Sequence, residues 1–275
     1  MKNKQIAIMG CGWLGAPLAE KLLAEGWEVY GSSRSLANLE GLQALGLKPF
    51  RMELPETLPA AADPIWQLPY YIVNLPPTPF MEFGPLAYAQ SMALLAERMP
   101  RGAKLFFVSS TGVYGPQKGA VLETNNCRPA HARSQAVLAA EEALAPYRSK
   151  LDLSILRFGG LIGGPRKAGR FLAGKKEVPQ PFRHLNLIHR SDCLGIFSAL
   201  LAKENCPALL NVCAPKHPFA QDFYPKRAKL LGLEPPSFLP PAPHEKEEAS
   251  YIATAALQQF LPDYIWQYPD PNEFP

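Results

Sequence analysis

"QIAIMGCGWLGAPLAEKLLAEG" (Gln5–Gly26) is the stretch from which the fold is read. Gln5–Gly10 is a short apolar run with two isoleucines, bounded by glycine, as a buried strand requires. Leucines at 14, 18, 22 and 23 then follow a helical period, and Gly26 stands where a helix C-cap belongs. Between the two lies "GCGWLG", a GxGxxG pattern at Gly10, Gly12 and Gly15. The pattern alone is weak evidence, but a strand before it and a helix after it give it a dinucleotide-binding context. Gly10 permits the tight turn, Gly12 lets the backbone approach a pyrophosphate, and Gly15 allows close helix–strand packing. The helix N-terminus favours the phosphates' negative charge.

Outward from that unit, strands and helices alternate. "WEVYGSSR" reads as a second strand, Leu36–Leu45 as a helix, "LKPFRM" as a third strand, and "YYIVNLPP" as a fourth stopped by Pro76-Pro77. A helix over Tyr88–Met99 precedes "KLFFVSS", the helical "RSQAVLAAEEAL" follows, and "LDLSILRFGG" is a sixth strand. Almost wholly apolar strands separated by helices predict an α/β fold, a Rossmann-type doubly wound parallel sheet. Residues 1–162 are expected to form the dinucleotide-binding domain. Residues 163–275 are expected to form a smaller substrate lobe packed over the sheet's edge. There "LNLIHRSDCLGIFSALLA" reads as strand, turn and helix, "ALLNVCAP" as a strand, "FAQDFYPKRAKLLGL" as helical, and Ala249–Phe260 as a further helix.

Composition narrows the function classes. The chain has 275 residues, 47% hydrophobic and 19% charged, which suits a well-buried globular protein. The 30 prolines cluster in Pro49–Pro85 and Pro207–Pro275, so both regions are expected to be rich in loops. The net charge of +4 is spread along the chain with no basic block interleaved with aromatics, so nucleic acid is not expected as a partner. Weak basicity fits an anionic or sugar-like small-molecule substrate. No apolar run reaches the roughly 18 residues of a membrane helix, and the basic start followed by glycines does not read as a signal peptide. The five scattered cysteines form no CxxC pair, which predicts reduced thiols in the cytoplasm and no metal site. Nothing in the sequence bears on subunit number, and an oligomer is left open.

The end of the second strand decides between dinucleotides. NAD sites usually place an acid about 20 residues past the glycine motif, on the ribose 2′-OH. Here Gly31–Ser35 reads "GSSRS" with no acid, and Ser33 and Arg34 suit a 2′-phosphate, so NADP is preferred over NAD. The residues expected to touch the cofactor are Gly10, Cys11, Gly12, Trp13, Leu14, Gly15, Ser33, Arg34, Leu75, Pro76 and Ser109.

The order of GxGxxG, "GSSR", "VSSTGVYG", "LRFGGLIGGPR" and "LIHRSDCLGIFSALL" resembles the extended short-chain dehydrogenase/reductase superfamily. More narrowly it is similar to the atypical NAD(P)-dependent epimerase/dehydratase-like (YeeZ-like) subgroup. The resemblance covers nearly the whole chain and implies nicotinamide-dependent chemistry on a sugar or polar carbonyl compound. It also implies that Ser110 binds the reacting oxygen, with a Tyr-x-x-x-Lys pair some residues later as acid/base. This chain departs from that pattern. Counting back from Glu141 without gaps puts Arg133 and Val137 at the pair's positions; aligning "ARS" instead puts His131 and Gln135 there. His131, which needs no lysine's help to titrate near neutrality, and Tyr114 are the substitute candidates. The alternative is a non-catalytic NADP-binding sensor or regulator. Glu123 reads as a loop residue, and Asp192 as a cap for the following helix beside His189. Asn186 and Arg190 fall near the expected substrate pocket. The basic, glycine-rich Gly163–Lys176 is either a loop for an anionic substrate or a solvated surface.

Overall fold

The computed structural model describes residues 4–275; Met1–Asn3, part of the basic start, lie outside the described residues. In chain order the first elements are β1 (Gln5–Met9), α1 (Gly15–Ala24), β2 (Glu28–Ser33), α2 (Leu36–Ala44), β3 (Lys48–Arg51), β4 (Tyr70–Val73), α3 (Ala87–Arg98) and β5 (Lys104–Ser110). Next come β6 (Ala120–Val121), α4 (Ala132–Leu144), β7 (Asp152–Phe158), β8 (Gly160–Ile162), β9 (Leu187–His189) and α5 (Arg190–Ala202). The chain ends with β10 (Leu209–Val212), α6 (Ala220–Leu230), α7 (Glu245–Glu248), β11 (Tyr251–Ile252) and α8 (Ala255–Phe260).

Seven strands form one sheet in the order β10-β7-β5-β4-β1-β2-β3. The β1–β2, β2–β3, β1–β4 and β4–β5 pairs are all parallel. The expected doubly wound parallel sheet is therefore present. Strand succession reverses direction between β1 and β4, the switch point at which such sheets open a crevice for ligands. Each strand there is buried on both faces: Ile6, Ala7, Ile8, Met9, Ile72, Phe106 and Phe107 are all fully enclosed. The turn after α1 explains why that helix ends at Ala24. Gly26 takes a φ of +80°, and Trp27 N–H closes back on Leu22 O at 2.9 Å, satisfying carbonyls the helix leaves open.

The chain folds into two compact units. The first comprises Met1–Val113, Pro129–Arg157 and Leu200–Leu209; the second comprises Tyr114–Arg128, Phe158–Ala199 and Leu210–Pro275. In the second, β8 pairs with β9, β11 pairs with β6, and Ile162, Leu187, Phe223 and Phe274 belong to one apolar cluster. The single helix expected over Ala249–Phe260 is not formed. Tyr251 N–H donates to Gly119 O (3.0 Å), Ala253 N–H to Val121 O (2.9 Å) and Ile252 N–H to Asn186 Oδ1 (2.9 Å). With three successive donors taken by two backbone carbonyls and one side-chain oxygen, only Ala255–Phe260 is left to coil.

Asp192 also differs from its expected capping role. It lies inside the first turn of α5, fully buried, and accepts from Tyr264 Oη (3.1 Å), Gln267 N–H (2.8 Å) and Tyr268 N–H (3.0 Å). The carboxylate thus anchors the aromatic C-terminal segment, while His189 Nδ1 accepts from Ser191 N–H at 3.3 Å. Asp192→Ala strands the Gln267 and Tyr268 amides, while Tyr264 Oη keeps the Asp192 carbonyl (3.2 Å), and is expected to cost about 3 kcal/mol in urea unfolding. A cost below about 1 kcal/mol would refute the anchor.

Candidate functional site

The three motif glycines do different things. Gly10, at the end of β1, has a φ of +105°, and a Cβ there would lie 2.4 Å from Asn74 O. At Gly15 a Cβ would lie 2.2 Å from Gly10 O. Both positions are closed by the protein's own backbone. At Gly12 a Cβ would meet nothing within 4 Å, so this glycine presents its backbone to open space. The N-terminus of α1 follows, and no side chain caps it, so its first-turn amides carry the helix's positive end outward.

Ser32, a residue sequence reasoning did not single out, pins this turn. Its Oγ accepts from Gly10 N–H at 2.8 Å and its carbonyl from Cys11 N–H at 3.0 Å. The available signal was a small polar residue near the C-terminal end of β2, and its almost complete burial could not be read from the sequence. The Cys11 thiol donates to Ile8 O at 3.5 Å, and burial pushes its pKa up to about 12, which makes it a packing group without thiolate character. Leu14 is buried, Trp13 is half-buried, and the Leu75 side chain lies 3.2 Å from the Gly10 Cβ position; Pro76 is exposed.

At the end of β2, Ser33 Oγ accepts from Ser35 N–H at 3.3 Å. Arg34 is exposed and engages none of the described residues. Ser35 caps α2 through Asn38 N–H, at 3.5 Å. This edge therefore offers hydroxyls and a guanidinium and no carboxylate, the donor set that a phosphate accepts and a bare ribose hydroxyl does not need.

The end of β5 separates two adjacent serines by strand alternation. Ser109 turns inward and donates to Glu141 on α4, and Glu141 also accepts from Arg157 Nε at 3.0 Å and from Arg157 Nη2. All three residues are about nineteen-twentieths buried, at 5% exposure each. The hydroxyl expected at the cofactor is thus taken up by a buried ion pair. Ser110 is half-buried, its Oγ accepting from Gly112 N–H at 3.2 Å. Tyr114, in the second unit, is fully buried with Oη donating to Asn211 Oδ1 at 2.7 Å. Glu123 accepts from Asn211 N–H at 2.8 Å, and Asn186 Oδ1 is the acceptor for Ile252 N–H. Along α4, Val137 and Glu141 are buried, whereas Arg133 and Gln135 are exposed, as is His131 just before the helix. Gly163 and Gly164 both take positive φ, and the Arg190 guanidinium lies about 3 Å from the Gly164 Cβ position.

No protein-family model matches the chain. The Escherichia coli (strain K12) protein YeeZ is 35% identical over 279 residues, covering 99% of each chain. Among solved structures, UDP-glucuronic acid 4-epimerase from Bacillus cereus, in complex with UDP-glucuronic acid and NAD, superposes with a TM-score of 0.76 at 18% identity, covering 98% of this chain and 96% of that one. The NAD-dependent NDP-hexosamine 5,6-dehydratase TunA gives a TM-score of 0.71 at 18% identity, over 93% and 90%. At these identities the two structures establish the shared fold alone, a Rossmann-type parallel sheet flanked by helices. Among the described residues no helix is long and apolar enough to cross a membrane.

Proposed function

Since the chain belongs to the YeeZ family and folds as an epimerase/dehydratase-type short-chain dehydrogenase, we propose that it binds NADP, in preference to NAD, and acts in the cytoplasm on a sugar or polar carbonyl compound. The observation that carries this reading is the glycine turn. Gly10 and Gly15 are closed by backbone while Gly12 alone opens outward beside an uncapped helix N-terminus, the cradle a pyrophosphate needs. Residues 1–162 hold the dinucleotide in this proposal, and residues 163–275 the substrate. Ser33 and Arg34 take the 2′-phosphate, Leu75 and Pro76 border the cofactor, and the bound nicotinamide supplies hydride transfer.

Ser110 binds the reacting oxygen in this proposal, and His131 is the protonatable group that stands in for the absent tyrosine. The Tyr114 hydroxyl, engaged with Asn211, serves packing. A second reading, a non-catalytic NADP-binding sensor, is favoured by one feature. Val137, at the lysine position of the gapless register, is buried and apolar, so no cation stands there to lower a neighbouring pKa.

Arg34→Ala is expected to weaken NADPH binding about tenfold and leave NADH unchanged, read by fluorescence titration of both nucleotides. Equal loss for both, or no loss, would remove the NADP assignment. NADPH oxidation over a panel of nucleotide sugars, wild type against Ser110→Ala, separates the enzyme from the sensor. Turnover that Ser110→Ala abolishes supports the enzyme, and nucleotide binding without turnover supports the sensor.

A further inference from the structure

We propose that Ser134 supplies a second hydroxyl to the Ser110 site, and that the two serines together hold one uncharged oxygen of a sugar-type substrate; the proposal rests on the functional reading above. Ser110 ends β5 and Ser134 lies in the first turn of α4, on either side of Gly112. A Cβ at Gly112 would lie 2.8 Å from Ser134 Oγ and 3.4 Å from Ser110 Oγ, so both oxygens border the same small space that the glycine leaves clear. Ser110 Oγ accepts from Gly112 N–H and donates to none of the described residues. The Ser134 hydroxyl makes no hydrogen bond among the described residues. Each hydroxyl carries one donor and two acceptor positions, so each keeps an uncommitted donor beside that space. Both residues are half-buried, which leaves them reachable by a ligand while shielding the bond from full competition with water.

The position of Ser134 on its helix explains why it, and not a residue at either register of the absent pair, fills this role. Val137 and Glu141 lie three and seven residues further on, and both are buried. Ser134 continues that same inward stripe to the point where α4 reaches the end of β5. Arg133 and Gln135, off the stripe, are exposed. Two neutral hydroxyls can orient and polarise a carbonyl or hydroxyl oxygen, but neither titrates in the accessible range. The pair therefore binds without moving a proton, and its contribution is the same at any pH where the fold is intact.

The test uses the full chain saturated with NADPH, titrated calorimetrically with UDP-glucose and UDP-glucuronic acid. Ser134→Ala is expected to weaken sugar binding about five- to tenfold, equally at pH 6.5 and 8.5, with NADPH affinity unchanged. Gly112→Ala, which puts a methyl into the shared space, is expected to abolish sugar binding and keep NADPH. Failure of the wild type to bind either sugar, equal affinity in wild type and Ser134→Ala, or a loss that changes with pH would overturn the proposal. Loss of NADPH binding by the wild type would instead overturn the parent reading, so the two failures are distinguishable.

Discussion

Glu141→Ala is expected to cost about 4 kcal/mol of stability, because removing one partner of a buried pair leaves an uncompensated charge. Arg157 would keep its guanidinium in a site with 5% exposure after losing both hydrogen bonds to the carboxylate. Ser109 would lose its acceptor as well. The three residues come from β5, α4 and β7, so the pair ties three elements together at the residue next to Ser110. Urea unfolding of the variant should therefore show a lowered midpoint. The double variant Glu141→Leu with Arg157→Met should recover much of the loss, since a well-packed apolar pair of similar volume is often neutral or better. A single variant within about 1 kcal/mol of wild type would mean that the ion pair is not anchoring the strand end.

Gly12→Ala is expected to lower NADPH affinity by about two orders of magnitude while leaving the thermal midpoint within a few degrees of wild type. A methyl at Gly12 meets no protein atom within 4 Å, so the fold has no reason to respond, and only an incoming pyrophosphate would feel it. Gly15→Ala is the contrasting case. Its methyl would sit 2.2 Å from Gly10 O, so the expected result is a loss of stability of about 1–3 kcal/mol or more, from backbone displacement. If Gly12→Ala binds NADPH normally, the turn is not the phosphate cradle. If Gly12→Ala and Gly15→Ala lose stability alike, the distinction between open and closed glycines is wrong.

Most of the first 160 residues were legible because β1, β4, β5 and β7 are largely apolar runs and α1 and α3 bury a periodic stripe. The glycine motif was legible for the same reason: its meaning depends on the strand and helix that flank it, and both are local. Ser109 and Ser110 show where that legibility stops. They are chemically identical neighbours, and only the tertiary position of Glu141 commits one to a buried ion pair and leaves the other half-buried with its proton unspent. Asp192 illustrates a different limit. Its acidic position at a helix start suggested a cap, yet its partners are 72 to 76 residues away, at Tyr264, Gln267 and Tyr268. The failure over Ala249–Phe260 has a related cause, because a two-residue pairing with Ala120 and Val121 overrode a weak helical propensity.

By itself the sequence determined the parallel sheet, the glycine turn between β1 and α1 and the absence of an acid at the end of β2, since periodicity, glycine spacing and side-chain identity act over a few neighbouring residues. Only the tertiary structure decided which hydroxyls are spent and which are available. Ser32 and Ser109 are consumed in holding the turn and the ion pair, and Tyr114 by Asn211; Ser110 and Ser134 come together across Gly112. The reason is physical: a hydroxyl's role is set by the partners within about 3 Å of it, and here those partners lie 22 to 97 residues away in the chain.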